Sequence, residues 1–149
     1  MASPAAAVWR PIVTEIVRER IGAGEPTWLP VRGRSMWPLL SRRPRILVVF
    51  PSRIRSGDLL AYECEGAIVC HRVLGRRGHA LLTRADHRAA EAERVLPAQI
   101  VGVVVAIERG GVVVDLTTAG RRALAVANAA RSMAGAGWAA ARRRWWRPS

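Results

Sequence analysis

Apolar residues near the start of the chain recur with a helical period. Between positions 8 and 21 they fall at Val8, Trp9, Ile12, Val13, Ile16, Val17 and Ile21, with Arg18, Glu19 and Arg20 among them, which predicts a one-sided helix. Gly22 and Gly24 supply its stop, and Pro26 and Pro30 keep the chain extended beyond it. From residue 46 the period changes to short β-type runs: "ILVVF" (46–50), "LLAYE" (59–63), "AIVCHRVL" (67–74), "ALLT" (80–83), "IVGVVVAIE" (100–108) and "GVVVDL" (111–116). Turn residues separate them at Ser56-Gly57-Asp58, Glu65-Gly66, Gly75 to Gly78 and Arg109-Gly110-Gly111. The pattern predicts a mainly β, mostly antiparallel compact domain. The runs differ in length and flanks, so they are not an internal repeat. Residues 119–149 are Ala-rich and acid-free, and predict a basic helical tail weakened at Gly135 and Gly137. The boundaries are therefore 1–30 for the N-terminal helix and lead-in, 31–118 for the β domain and 119–149 for the tail.

A length of 149 residues suits one domain with tails rather than two domains. Hydrophobic residues make up 50% of the chain and aromatics only 5%, so the core must be built from Val, Leu, Ile and Ala. All 24 basic residues are arginine, and against 11 acids they give a formal charge of +13. Such a balance favours anionic partners, although an Arg- and Ala-rich, Lys-free composition also follows from GC-rich coding. Cys64 and Cys70 are too few for a disulfide framework, and their spacing does not match the usual zinc pairs, so they read as reduced thiols. No metal or other cofactor is expected.

The N-terminus has no charged segment followed by an apolar one, so no secretory signal is expected, and no run reaches about 18 uninterrupted apolar residues. The stretch from Ala123 to Ala141 is mostly alanine and carries Arg131, whose insertion at a membrane centre costs about 2.5–3.5 kcal/mol. A cytoplasmic or peripheral-membrane protein is the expectation. The tail, ending "RRRWWR", is a candidate contact for an anionic membrane surface, with a solvated basic tail as the alternative.

Chemistry can be narrowed by counting. A serine nucleophile needs a base within hydrogen-bond reach, because a free hydroxyl attacks poorly at neutral pH. Without lysine a Ser–Lys dyad is excluded, leaving His71, His79 and His87. His71 alone lies inside an apolar β run. Successive side chains on a strand face opposite ways, so His71 shares a face with Val69 and Val73, while Cys70 and Arg72 take the other. Cys70 is then not a nucleophile for His71. Among the serines, Ser35 alone follows a closely placed glycine, Gly33, and precedes Met36, Trp37 and Pro38, a setting that can present its hydroxyl beside a backbone N–H oxyanion donor. On the residues alone, Ser35 as a plain turn residue and His71 as a structural histidine remain open.

The order of the motifs adds a resemblance. "VRGRSMWPLL" (31–40) resembles the nucleophile segment of signal peptidase I and its relatives, and "SGDLLAYE" (56–63) that family's Gly-Asp start of a strand. "VCHRVLG" (69–75) resembles the histidine segment of the branch found in the endoplasmic reticulum, archaea and some Gram-positive bacteria. "LLTRADHR" (81–88) is similar to the following Thr-Lys-Gly-Asp-Asn segment, and "IVGVVVAI" (100–107) to the closing Ile-x-Gly-x-Val strand.

The resemblance implies a signal-peptidase-type β fold and a serine endopeptidase that processes a leader, signal or propeptide through an acyl-enzyme, without metal, commonly after small residues of an extended substrate. It implies Ser35 as nucleophile and His71 as general base. Asp86 is the first choice to orient His71, with Glu91 and Glu93 as alternatives, because the family's further aspartate would fall at Ala92. A Ser–His dyad without a third member is also possible. The chain departs from the family pattern at Arg43-Pro44 and at Ala85, where glycine-containing pairs are usual, and a form without the family's membrane anchor is the expectation. The partner implied is a peptide or precursor protein. Nucleic acid is not favoured, although a catalytically degenerate basic module binding nucleic acid or anionic membrane is the rival reading. The self-cleaving repressors of the same broad fold need a Ser–Lys pair and a DNA-binding helix pair, and the sequence offers neither.

Overall fold

The structure, a computed structural model, describes residues 4–31, 44–86, 91–118, 120–121 and 126–127. Helix α1 (Pro4–Gly22) is followed by strands β1 (Thr27–Pro30), β2 (Arg45–Val49), β3 (Leu59–Cys64), β4 (Ala67–Arg77), β5 (Ala80–Arg84) and β6 (Glu93–Val95). A short 3-10 turn (Pro97–Gln99) leads into β7 (Ile100–Arg109) and β8 (Val112–Asp115). The strands form one antiparallel sheet in the order β1-β2-β7-β3-β4-β5-β6, with β8 also paired to β7, and the sheet curls into a half-barrel.

All six β runs expected from the apolar pattern are strands, with ends shifted by a few residues at most. β1 and β6 were not foreseen. β1 occupies the sheet edge, where Pro30, lacking an N–H, is tolerated, so the extended lead-in expected up to residue 30 is part of the sheet. β6 is three residues long and two of them are charged, so it carries no apolar alternation; its pairing to β5 defines it. The expected tail lies outside the described residues except for 120–121 and 126–127.

Helix α1 ends in a Schellman cap: the Glu25 N–H bonds the Arg20 carbonyl at 3.0 Å, the Gly24 N–H bonds that of Ile21 at 3.0 Å, and Gly24 takes φ +86°. Thr14, Val17 and Ile21, three and four residues apart, form its buried stripe, and Thr14 Oγ1 donates to the Gly66 carbonyl at 3.1 Å. The stripe is narrower than expected. Val13 and Ile16, each one position off that line, are 43% and 52% exposed. The side chains of Val8, Trp9 and Ile12 lie outside the described ones.

Both faces of the sheet are covered by apolar packing. On one, Val17 and Ile21 of the helix pack with Ile46, Val48, Leu59, Ala61, Cys70, Val101, Val104 and Ile107. On the other, Leu60, Tyr62, Val73, Leu81 and Val95 form a second cluster. β2 crosses β7 closely at Gly102, where an added Cβ would sit 2.5 Å from the Val49 carbonyl oxygen and 2.6 Å from Val48 Cγ1. Only glycine fits that crossing.

Candidate active site

Strand register gathers the residues around His71. Leu60 lies opposite His71, Val73 opposite Thr83, and Thr83 opposite Glu93. With the alternation of β3 and β4, this brings Tyr62, His71, Thr83 and Glu93 from four strands onto one face, beside the second apolar cluster. The Tyr62 hydroxyl is their hub. It lies 2.8 Å from His71 Nδ1 and 2.6 Å from Glu93 Oε2, and Thr83 Oγ1 reaches it at 3.4 Å. His71 Nδ1 and Glu93 Oε2 are themselves 3.8 Å apart. The Tyr62 and His71 rings meet edge to face, with centroids 5.8 Å apart.

Proton counting sets the direction of this chain. Burial, and next the hydrogen bond to Glu93, push the Tyr62 phenol well above its ordinary range, so it stays protonated. It has one proton, and the Glu93 carboxylate can only accept, so Tyr62 donates to Glu93. Tyr62 Oη then accepts from His71 Nδ1–H, and the lone pair of the neutral ring is left on Nε2. The His71 side chain is only 12% exposed while that of Glu93 is 50% exposed, so the carboxylate stays hydrated as the imidazole is dried. Burial lowers the His71 pKa, opposed by the charges of Glu93 and then Asp86. The arrangement can present a neutral, oriented imidazole base.

Asp86, the first choice from the sequence to orient His71, is bound to Arg72. Arg72 Nε and Nη2 hold its two oxygens at 2.9 and 2.8 Å, while Nη1 donates to the Gly57 carbonyl at 3.0 Å. Arg72 is 4% exposed and follows His71 in β4, so its side chain leaves by the opposite face. It ties the Gly57-Asp58 turn to the segment after β5. The same turn is fixed by the Gly57 N–H on the Val73 carbonyl at 2.8 Å, the Arg55 N–H on Asp58 Oδ2 at 2.7 Å, and Ser56 Oγ on the Leu74 carbonyl at 2.9 Å. Gly57 takes φ +90° there.

Ser35 lies outside the described residues, as does His87. The described residues on either side of the Ser35 segment are joined directly, the Val31 N–H bonding the Pro44 carbonyl at 3.0 Å. His79 is exposed in the β4–β5 turn, and Glu91 is exposed before β6. Cys64 and Cys70 are free, and burial pushes the Cys70 thiol up to about 12, leaving it a poor nucleophile. Among the described residues no group of three His, Cys, Asp or Glu is placed to hold a metal ion, and no helix is long and apolar enough to cross a membrane.

Sequence reasoning missed Tyr62 and Thr83. Tyr62 is the only tyrosine of the chain and shares its strand face with Leu60, so the alternation of "LLAYE" puts it on one face with Leu60; the register that brings that face to His71 was not available. No protein-family model matches the chain, and no curated protein matches it.

Proposed function

We propose that the protein is a serine endopeptidase of signal-peptidase type, in which His71 is the general base, Ser35 the nucleophile, and Tyr62 with Glu93 the positioning pair. The observation that carries this reading is the Glu93–Tyr62–His71 chain, which leaves Nε2 of a largely buried imidazole as the acceptor. A structural histidine has no need of a buried phenol and a carboxylate in series behind it. In the reaction, Nε2 takes the Ser35 hydroxyl proton as Oγ attacks the scissile carbonyl carbon. The tetrahedral intermediate collapses as the same proton passes to the leaving amine, and water, activated by Nε2, hydrolyses the acyl-enzyme. Glu93 takes the orienting role first sought at Asp86, and acts through the phenol. Imidazolium formed at each step is stabilised by a carboxylate 3.8 Å from Nδ1.

The mainly β half-barrel, and the order of the motif segments along the sequence, support the same assignment. The substrate class is an extended peptide or precursor protein. Incubation with a peptide library, followed by sequencing of the products, tests the activity. Cleavage by the wild type that is lost in both Ser35→Ala and His71→Ala is the expected outcome, and cleavage retained by either variant would sink the assignment.

A further inference from the structure

A pocket of about 390 Å3 has in its lining Leu59, Val104 and Leu116, which belong to the helix-side packing, together with Arg72, whose side chain leaves β4 by the face opposite His71. Its origin is the shared edge of β7. β3 pairs with that edge as far as Val104 and β8 from Ala106 onward, so the two strands part at Val105, where the Leu116 N–H bonds the Val105 carbonyl at 2.9 Å. The inner wall is apolar, with Val49, Leu59, Val104 and Leu116. Its outer lining is basic: Arg53, Arg55 and Arg121 are all exposed. Among the described residues none of these three guanidinium groups forms a hydrogen-bonded ion pair, and Arg121 lies close enough to Asp115 for its charge to add to the Thr117 hydrogen bonds that lower that carboxyl's pKa.

Two further charged residues line the pocket, and both are committed. Arg72 is held by Asp86 and the Gly57 carbonyl, and the Asp58 carboxylate accepts the Arg55 backbone N–H. The volume falls in the range of small-molecule sites, about 300–1,000 Å3. An apolar wall beneath a rim of guanidinium groups matches a molecule with an apolar body and an anionic head, since arginine binds carboxylate and phosphate oxygens in its planar fork.

We propose that this pocket binds a small amphiphilic anion, its carboxylate or phosphate head on Arg53, Arg55 and Arg121 and its hydrocarbon chain against Val49, Leu59, Val104 and Leu116. The site is separate from the His71 face and stands whether or not the peptidase reading does. Isothermal titration of the full chain with dodecanoate, dodecyl phosphate, dodecanol, acetate and inorganic phosphate, all at submicellar concentration, tests it. One molecule of dodecanoate or dodecyl phosphate should bind per chain, and the tighter of the two identifies the head group. Dodecanol, acetate and inorganic phosphate should each bind about tenfold more weakly or worse. Arg53→Gln/Arg121→Gln should weaken the amphiphile by about tenfold, whereas Arg76→Gln/Arg94→Gln, an equal loss of charge at two exposed sites elsewhere, should leave it unchanged. Dodecanol binding as tightly as the anions, equal losses in the two double variants, or no saturable binding would each overturn the proposal.

Discussion

Tyr62 converts a solvent-facing carboxylate into a partner for a buried imidazole. A direct Glu93–His71 pair would place the carboxylate in the dry part of the site, where desolvation opposes the charged form. With the phenol between them, Glu93 remains half exposed and His71 still has an acceptor for Nδ1–H. Tyr62→Phe should therefore lower kcat/KM by about tenfold to a hundredfold, as loss of an orienting partner does at other histidine sites, with little effect on KM. Activity should rise with pH along a single limb below the ordinary imidazole value of about 6.5, because burial disfavours the imidazolium. Glu93→Gln removes a charge that favours the imidazolium, so the limb should move further toward acid; movement toward alkali, or a limb that ignores the substitution, would contradict the relay. Stability carries the same sign. A histidine whose folded pKa is depressed leaves the unfolded chain binding the extra proton, so its contribution is full above about pH 6.5 and falls as the pH drops below that value.

Arg72 and Asp86 act on the fold in the same neighbourhood. Removing one partner of a buried ion pair strands the other, at a cost of about 3–5 kcal/mol. Arg72→Ala should thus lower Tm by about 10 °C or more in chemical or thermal unfolding of the isolated protein. Asp86→Asn should be felt more in stability than in kcat. An Asp86→Asn variant of unchanged Tm and much reduced kcat would return the orienting role to Asp86.

At the scale of elements, strand positions were legible because each expected run is an unbroken apolar stretch with turn residues at both ends. β1 and β6 were not, because a four-residue edge strand with a terminal proline and a three-residue strand with two charges carry no period. Register was also out of reach, and the candidate site depends on it: His71 was identifiable from its own strand, but Tyr62, Thr83 and Glu93 join it only through pairings across three ladders. The alternation that put Cys70 and Arg72 opposite His71 did hold, and Cys70 packs in the helix-side cluster. The helix was legible in position and overdrawn in width. Ile21→Ala should cost about 2–5 kcal/mol by opening a cavity in that cluster, whereas Ile16→Ala should change stability by less than about 0.5 kcal/mol. Similar losses at both positions in denaturant titrations would mean that the buried stripe has been misassigned.

On the scale of the whole molecule, the two faces of the half-barrel carry different polar groups. One face carries the relay behind His71, and the other carries the buried Arg72–Asp86 pair and the arginine-rimmed pocket. In a lysine-free chain the cations of the second face are arginines, and under the proposed peptidase reading the base on the first can only be histidine. The claim on which the account turns is that His71 activates Ser35. A fluorophosphonate probe, which reacts with an activated serine hydroxyl, followed by peptide mass mapping of the adduct, tests that claim directly. The account predicts a single adduct on Ser35 in the wild type that is lost in a folded His71→Ala variant; an unmodified Ser35 in folded protein, or equal labelling with and without His71, would contradict it.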